Sequence, residues 1–197
     1  MSTPPRRLCV FCGSNPGKRP VYVETAQALG RELVARGYGL VFGGGRVGLM
    51  GAVADAVLEA GGEVLGVIPE GLKRREVAHE GLTELLVVDS MHTRKHLMAE
   101  HSQGFIALPG GLGTFEEMFE VVTWAQLGIH GKPCGLLDVD GYFEPVLAQL
   151  DRGVEEGFVR AAHRDLWLRE TTPAALLDRM EAHVPAKVQK WMDEAGT

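Results

Sequence analysis

A doubly wound α/β fold, a parallel sheet flanked by helices on both faces, is what this sequence predicts, on three observations. Short runs that are apolar at every position alternate along the chain with amphipathic stretches of helical length. Strands with no polar face are buried on both sides, which is the habit of parallel sheets covered by helices. Glycine clusters follow several of these runs, and glycine supplies 26 of the 197 residues. Alternating strand and helix implies right-handed crossovers, so every strand ends at one edge and the glycine clusters lie along it.

The elements follow in order. The first run, 8–11, is Leu8-Cys9-Val10-Phe11; a loose tail over 1–7 precedes it and Gly13-Ser14-Asn15-Pro16-Gly17 follows. A helical pattern over 20–36 leads to the run at 39–42 and to Gly43-Gly44-Gly45. Helix 48–60, strand 64–68 and strand 85–88 come next, then helix 91–102 and strand 105–108. Pro109-Gly110-Gly111-Leu112-Gly113-Thr114 turns the chain into a helix over 115–128. Strand 134–137, helix 143–156, a run at 166–168 and helices over 173–182 and 185–194 complete the pattern. There is no repeat, low-complexity segment or internal linker, so 1–197 reads as one nucleotide-binding domain.

Composition narrows the function. Hydrophobic residues make up 45% and charged residues 23%, with 20 Lys+Arg against 26 Asp+Glu for a net charge of −6. That balance argues against a sequence-independent grip on nucleic acid. No apolar stretch approaches the roughly 20 residues of a membrane span. The apolar run after Arg6-Arg7 stops at Gly13, short of a signal peptide, so a cytoplasmic location is expected. Cys9-Val10-Phe11-Cys12 has redox spacing, but on a strand residues three apart point to opposite faces, and buried strand cysteines are the better reading. His92 and His96, with His101 nearby, have a spacing that could hold a metal; no zincin-like Glu or carboxylate cluster accompanies them, and no metal or cofactor is expected.

The glycine edge points to an anion. Backbone N–H groups in a Gly-rich turn opening a helix cradle phosphate, and the helix dipole adds its positive end. Gly43-x-Gly45-x-x-Gly48, with Glu70 beyond the next strand, matches the dinucleotide fingerprint, although it follows the second strand rather than the first; no Walker A sequence is present. The stronger cluster is Pro109-Gly110-Gly111-Leu112-Gly113-Thr114-Phe115-Glu116-Glu117, which sets a carboxylate one turn inside the helix behind an anion cradle. Two readings of Glu117 stay open: the far end of a Thr114-x-x-Glu117 capping box, or a catalytic group. Arg94 and Lys95 interrupt an apolar stripe between Met91 and Met98, either snorkelling or binding an anion.

These residues resemble a family. The stretch 109–117 is similar to the P-G-G-x-G-T-x-x-E motif of the Lonely Guy (LOG) family, the cytokinin riboside 5′-monophosphate phosphoribohydrolases, and Arg94-Lys95 sits where that family carries an Arg-Lys pair. Cys12-Gly13-Ser14, Val41-Phe42-Gly43-Gly44-Gly45, Gly48-Leu49-Met50-Gly51, the stretch 123–130 and Gly141-Tyr142-Phe143 look similar too, over roughly residues 7 to 170. The resemblance implies a Rossmann-like fold, a homodimer, and hydrolysis of the N-glycosidic bond of AMP or prenylated AMP, without metal or cofactor. It also implies that Arg94 and Glu117 are catalytic, and that Glu76, Lys95, Gly111, Leu112, Gly113, Thr114, Phe115, Glu116 and Thr123 join them in touching substrate. Phe115 stands where Leu is common, and Lys73-Arg74-Arg75 precedes Glu76. Relatives have been labelled lysine decarboxylases, but nothing in the residues supports pyridoxal chemistry.

Hydrolysing such a bond builds positive charge on the ribose. The cradle would hold the 5′-phosphate, Glu117 would face the ribose to stabilise the cation and orient water, and Arg94 would counter Glu117. The alternative is a carrier that binds a phosphorylated ligand without cleaving it; Glu117, which repels phosphate, stands against it. The helix over 115–128 is apolar on too many sides for one wet face, through deep burial or, as the resemblance implies, a two-fold dimer beside each site.

Overall fold

The computed structural model describes residues 6–73 and 77–185. Strand β1 (Arg7–Phe11) begins one residue before the expected run: Arg7, assigned above to a loose tail, pairs with Gly39 in parallel register and reaches Glu63 with its guanidinium. The chain then builds α1 (Pro20–Ala35), β2 (Gly39–Phe42), α2 (Gly48–Glu59), β3 (Val64–Pro69) and β4 (Glu84–Val88). It continues through α3 (Met91–Glu100), β5 (Phe105–Ala107), α4 (Leu112–Gln126) and β6 (Cys134–Leu137). A 3₁₀ turn (Val139–Gly141), α5 (Glu144–Glu155), α6 (Ala161–Arg164), β7 (Trp167–Glu170) and α7 (Pro173–Glu181) follow. The expected helix over 185–194 falls almost entirely outside the described residues.

All seven strands form one parallel sheet in the order β4-β3-β2-β1-β5-β6-β7. The chain winds outward from β1 to β4, then returns past β1 to lay β5, β6 and β7 on the other side. The order therefore reverses between β1 and β5, and in such sheets the crevice outside the carboxyl ends at the reversal is where ligands bind. Gly13, just past β1, donates its N–H to the carbonyl of Pro109, just past β5, at 3.1 Å, closing the floor of that crevice.

Each strand buries both faces because its side chains alternate. Leu8, Val10, Leu40, Phe42, Ile106 and Leu108 pack under α1, α2 and α7; Cys9, Phe11, Val41, Val67, Phe105 and Leu136 pack under α3, α4 and α5. That is why the runs carry no polar alternation. The edge strand β4 departs from the pattern, with Glu84 and Val87 exposed, because it is paired along one side only. The cysteine reading holds: Cys9, Cys12 and Cys134 are buried free thiols, with burial pushing all three pKa values up, that of Cys134 to about 12.

Candidate active site

Three loops at the reversal point converge. Cys12, Gly13 and Ser14 after β1, Arg94 and Met91 from α3, and the 111–114 turn with Glu116 and Glu117 from α4 line a cavity of about 300 Å³; Met50 and Leu72 complete its apolar wall. Sequence reasoning placed the glycines, Arg94 and Glu117 here. It assigned no role to Ser14, Met50, Leu72 or Met91, although Ser14 and Met50 lie in stretches that resemble the family and Met91 bounds the stripe that Arg94 interrupts.

Helix α4 begins earlier than expected. Gly111 is the N-cap, with extended backbone at φ −96°, and its carbonyl accepts the Phe115 N–H at 3.1 Å. Thr114 is therefore not a cap but sits inside the first turn, buried, and the Thr114–Glu117 capping box does not form. The first N–H groups of a helix have no partner within it, so Leu112, Gly113 and Thr114 aim theirs along the axis. The first turn carries no acidic residue and no side chain caps it. Anion-binding capacity is thus concentrated at the mouth of the cavity.

Arg94 is only 5% exposed, an expensive position for a cation unless its donors are satisfied. Its Nε donates to the Val67 carbonyl at 3.1 Å and one terminal nitrogen to the Gly43 carbonyl at 2.9 Å, so the ends of β3 and β2 hold the guanidinium. Gly43 is glycine for a spatial reason: a Cβ there would lie 2.0 Å from that nitrogen. Glu117, half-buried on the facing helix, lines the same cavity. Its charge raises the Cys9 thiol pKa further, after burial, while that of Arg94 lowers it. Both side chains thus line one cavity and act on the same strand, β1.

Other expected site residues lie elsewhere. The Lys95 ammonium sits between Glu116 at 2.6 Å and Glu120 at 3.0 Å, clasping α3 to α4; burial works against its charge, but the carboxylates outweigh it and hold the pKa above the ordinary value. The Phe115 ring stacks on Tyr142 and meets Phe143 edge-on instead of facing the cavity. Thr123 is exposed, nine residues past Thr114 and so roughly 13 Å farther along the helix, with its hydroxyl on the Phe119 carbonyl. Glu76 lies outside the described residues. His92 and His96 are exposed on α3, and among the described residues no group of three or more His, Cys, Asp or Glu is gathered to hold a metal.

The segment that carries Leu72 is fastened to the second glycine turn. His79 donates its backbone N–H to the Gly44 carbonyl, and Arg46 donates to the Val77 carbonyl, both at 2.9 Å. The buried His79 ring bridges Asp55 at 2.8 Å and the Gly81 N–H at 3.1 Å, so Nδ1 accepts and Nε2 donates.

A family model described as "Possible lysine decarboxylase" matches residues 50–180, more than half of the chain. A probable cytokinin riboside 5′-monophosphate phosphoribohydrolase of Oryza sativa subsp. japonica, LOGL2, is 53% identical over 180 residues, covering 91% of this chain and 74% of the relative. Cytokinin riboside 5′-monophosphate phosphoribohydrolase LOG3 of Arabidopsis thaliana is 51% identical, covering 91% and 84%. Among solved structures, the molybdenum cofactor binding protein of Rippkaea orientalis superposes with a TM-score of 0.70 at 20% identity, covering 91% of this chain and 98% of that one. The molybdenum cofactor carrier protein of Chlamydomonas reinhardtii gives 0.68 at 21%, covering 90% and 99%. These likenesses show the shared Rossmann-like fold. With about half of the 180 aligned residues identical to these phosphoribohydrolases, and the family model matched over 50–180, the chain belongs to the LOG family, the group whose family model carries the lysine decarboxylase description.

Proposed function

We propose that this protein hydrolyses the N-glycosidic bond of an adenosine 5′-monophosphate, prenylated or plain on N6, releasing the free base and ribose 5-phosphate. The observation that carries the reading is one cavity in which the N–H groups of 111–114, the Arg94 guanidinium and the Glu117 carboxylate converge. A 5′-phosphate on the helix N-terminus directs the ribose inward, toward a carboxylate about 7.5 Å along the helix from Leu112. As the bond to the base lengthens, positive charge grows at the anomeric carbon and Glu117 opposes it. Glu117 also accepts a proton from the attacking water, whose oxygen bonds to that carbon as the bond to the base breaks; the departing base takes a proton from solvent and Glu117 later returns its own to solvent. Arg94, lining the same cavity, supplies a guanidinium for phosphate or ribose oxygens. Met50, Leu72 and Met91 offer the base an apolar wall that suits a prenyl group.

The activity belongs in the cytoplasm and to a two-fold dimer. Phe119, 41% exposed, and Leu127, 55% exposed, lie on the outer side of α4 on either side of Thr123, a surface more apolar than a lone helix leaves wet. In such a dimer Thr123, too far from its own cradle, would serve the partner's substrate. A carrier gains nothing from a carboxylate beside its phosphate site. Incubating the pure protein with AMP and with isopentenyladenosine monophosphate separates the two: adenine or its prenylated form, with equimolar ribose 5-phosphate, supports hydrolysis, and recovery of intact nucleotide from a tight complex refutes it.

A further inference from the structure

We propose that Tyr142 is a positioning residue: its hydroxyl holds the Gly110–Gly111 peptide in the orientation that aims the Gly111 N–H at the substrate phosphate. The inference rests on reading 111–114 as the phosphate cradle. The Tyr142 hydroxyl donates to the carbonyl of Gly110, the residue just before the N-cap of α4. In a trans peptide the carbonyl and the next N–H point opposite ways. The structure contains no cis peptide among the described residues. With the Gly110 oxygen turned toward Tyr142, the Gly111 N–H is therefore turned away from it. Tyr142 and Gly110 line a cavity of about 200 Å³ with Tyr22, Leu49 and Pro109, and neither lines the cavity of Arg94 and Glu117. Gly111 borders both cavities, as do Gly13 and Ser14, so the Gly110–Gly111 peptide stands where the two adjoin.

The pin is needed because of what the turn is made of. A Cβ on Gly110 would fall 2.1 Å from the Thr114 hydroxyl and 2.8 Å from the Gly13 nitrogen, so close packing of β1, β5 and α4 demands glycine there. A Gly-Gly peptide has almost no steric preference between its two flipped orientations. Flipped, it would present a carbonyl oxygen to the phosphate instead of a donor.

Tyr142 is itself firmly placed. It ends the 3₁₀ turn after β6, where fully buried Asp138 accepts the Phe143 N–H at 2.8 Å and the Arg169 Nε at 2.7 Å. Phe115 of α4 stacks on its ring with 10° between the planes, and Tyr22 meets it edge-on. Contacts from α1, α4 and the turn after β6 thus fix the ring that carries the hydroxyl.

Tyr142→Phe removes the hydroxyl and keeps the stacked ring. The dissociation constant of ribose 5-phosphate, by calorimetry, is compared between wild type and variant, together with kcat/KM for AMP and for adenosine. We expect ribose 5-phosphate to bind about tenfold more weakly, KM for AMP to rise by a similar factor with kcat little changed, and the AMP-to-adenosine ratio to fall. General damage to the fold lowers both substrates alike and leaves that ratio intact; an unchanged ratio overturns the proposal. So does wild-type affinity for ribose 5-phosphate in the variant, which leaves the hydrolase reading standing. Wild-type protein that cleaves AMP yet binds ribose 5-phosphate no better than ribose refutes the cradle, and this role of Tyr142 with it.

Discussion

Substituting Gly43 tests the placement of Arg94 without touching Arg94 itself. The Cβ of Gly43→Ala would lie 2.0 Å from the guanidinium nitrogen that donates to the Gly43 carbonyl. The position has no positive φ, so alanine brings no backbone strain of its own. The guanidinium must retreat by more than about 1 Å to reach ordinary contact, which breaks a buried, charge-assisted hydrogen bond contributing roughly 1.5–3 kcal/mol. For a chain of this size that corresponds to a fall in Tm of roughly 3–12 °C. The effect on chemistry is larger in proportion, because a 1 Å misplacement of a catalytic group costs about a hundredfold in rate. The assay is adenine release from AMP by chromatography beside a thermal melt, with kcat down about a hundredfold in a variant still folded at 25 °C. Normal turnover with a lowered Tm would refute the reasoning, since Arg94 would then be displaced without consequence for the chemistry.

Other outcomes follow from the same geometry. Adenosine, which leaves the cradle empty, should have a kcat/KM at least about tenfold below that of AMP, read from parallel initial rates. Light scattering at micromolar concentration should give a dimer mass, and Leu127→Glu, which charges the exposed apolar side of α4, should shift it toward the monomer. Burial lowers the pKa of His130 below its ordinary 6.5, partly opposed by the Val121 carbonyl, and its Nδ1 accepts the Lys132 N–H. Its folded pKa lies below the unfolded value, so this stability is present above about pH 6.5 and is lost as pH falls toward the folded pKa. The Tm of His130→Asn, whose amide oxygen can still accept that N–H, should fall less steeply than wild type between about pH 7 and 5.

The sheet and its helices were legible because their signals are local and periodic. Unbroken apolar runs such as 64–68 and 105–108 follow from burial on both faces, and glycines past strand ends, such as Gly13 and Gly111, line the cavity. Arg94 was legible as a cation interrupting an apolar stripe, and Glu117 as a carboxylate set behind a glycine-rich anion cradle. What sequence concealed depends on contacts between distant segments. Thr114 read as a cap because Thr-x-x-Glu is a good local signal, yet packing of Gly110 against Gly13 and Thr114 starts the helix at Leu112. The ion pairs of Lys95 with Glu116 and Glu120 join α3 to α4 across more than 20 residues of sequence. The hold of Tyr142 on Gly110 joins residues 32 apart in sequence, and no periodicity announces such a contact.

The central claim, that Glu117 carries the chemistry, is tested most directly by kcat for AMP in Glu117→Gln. Gln has the size and shape of Glu but can neither take a proton from water nor offset a growing positive charge. With the helix capped at Gly111, the substitution removes no capping box. General acid–base roles are worth about 10²–10⁴ in rate. We predict a kcat at least about a hundredfold lower, with ribose 5-phosphate still bound and Tm close to wild type. A Glu117→Gln protein that turns over AMP at near the wild-type rate would contradict the mechanism.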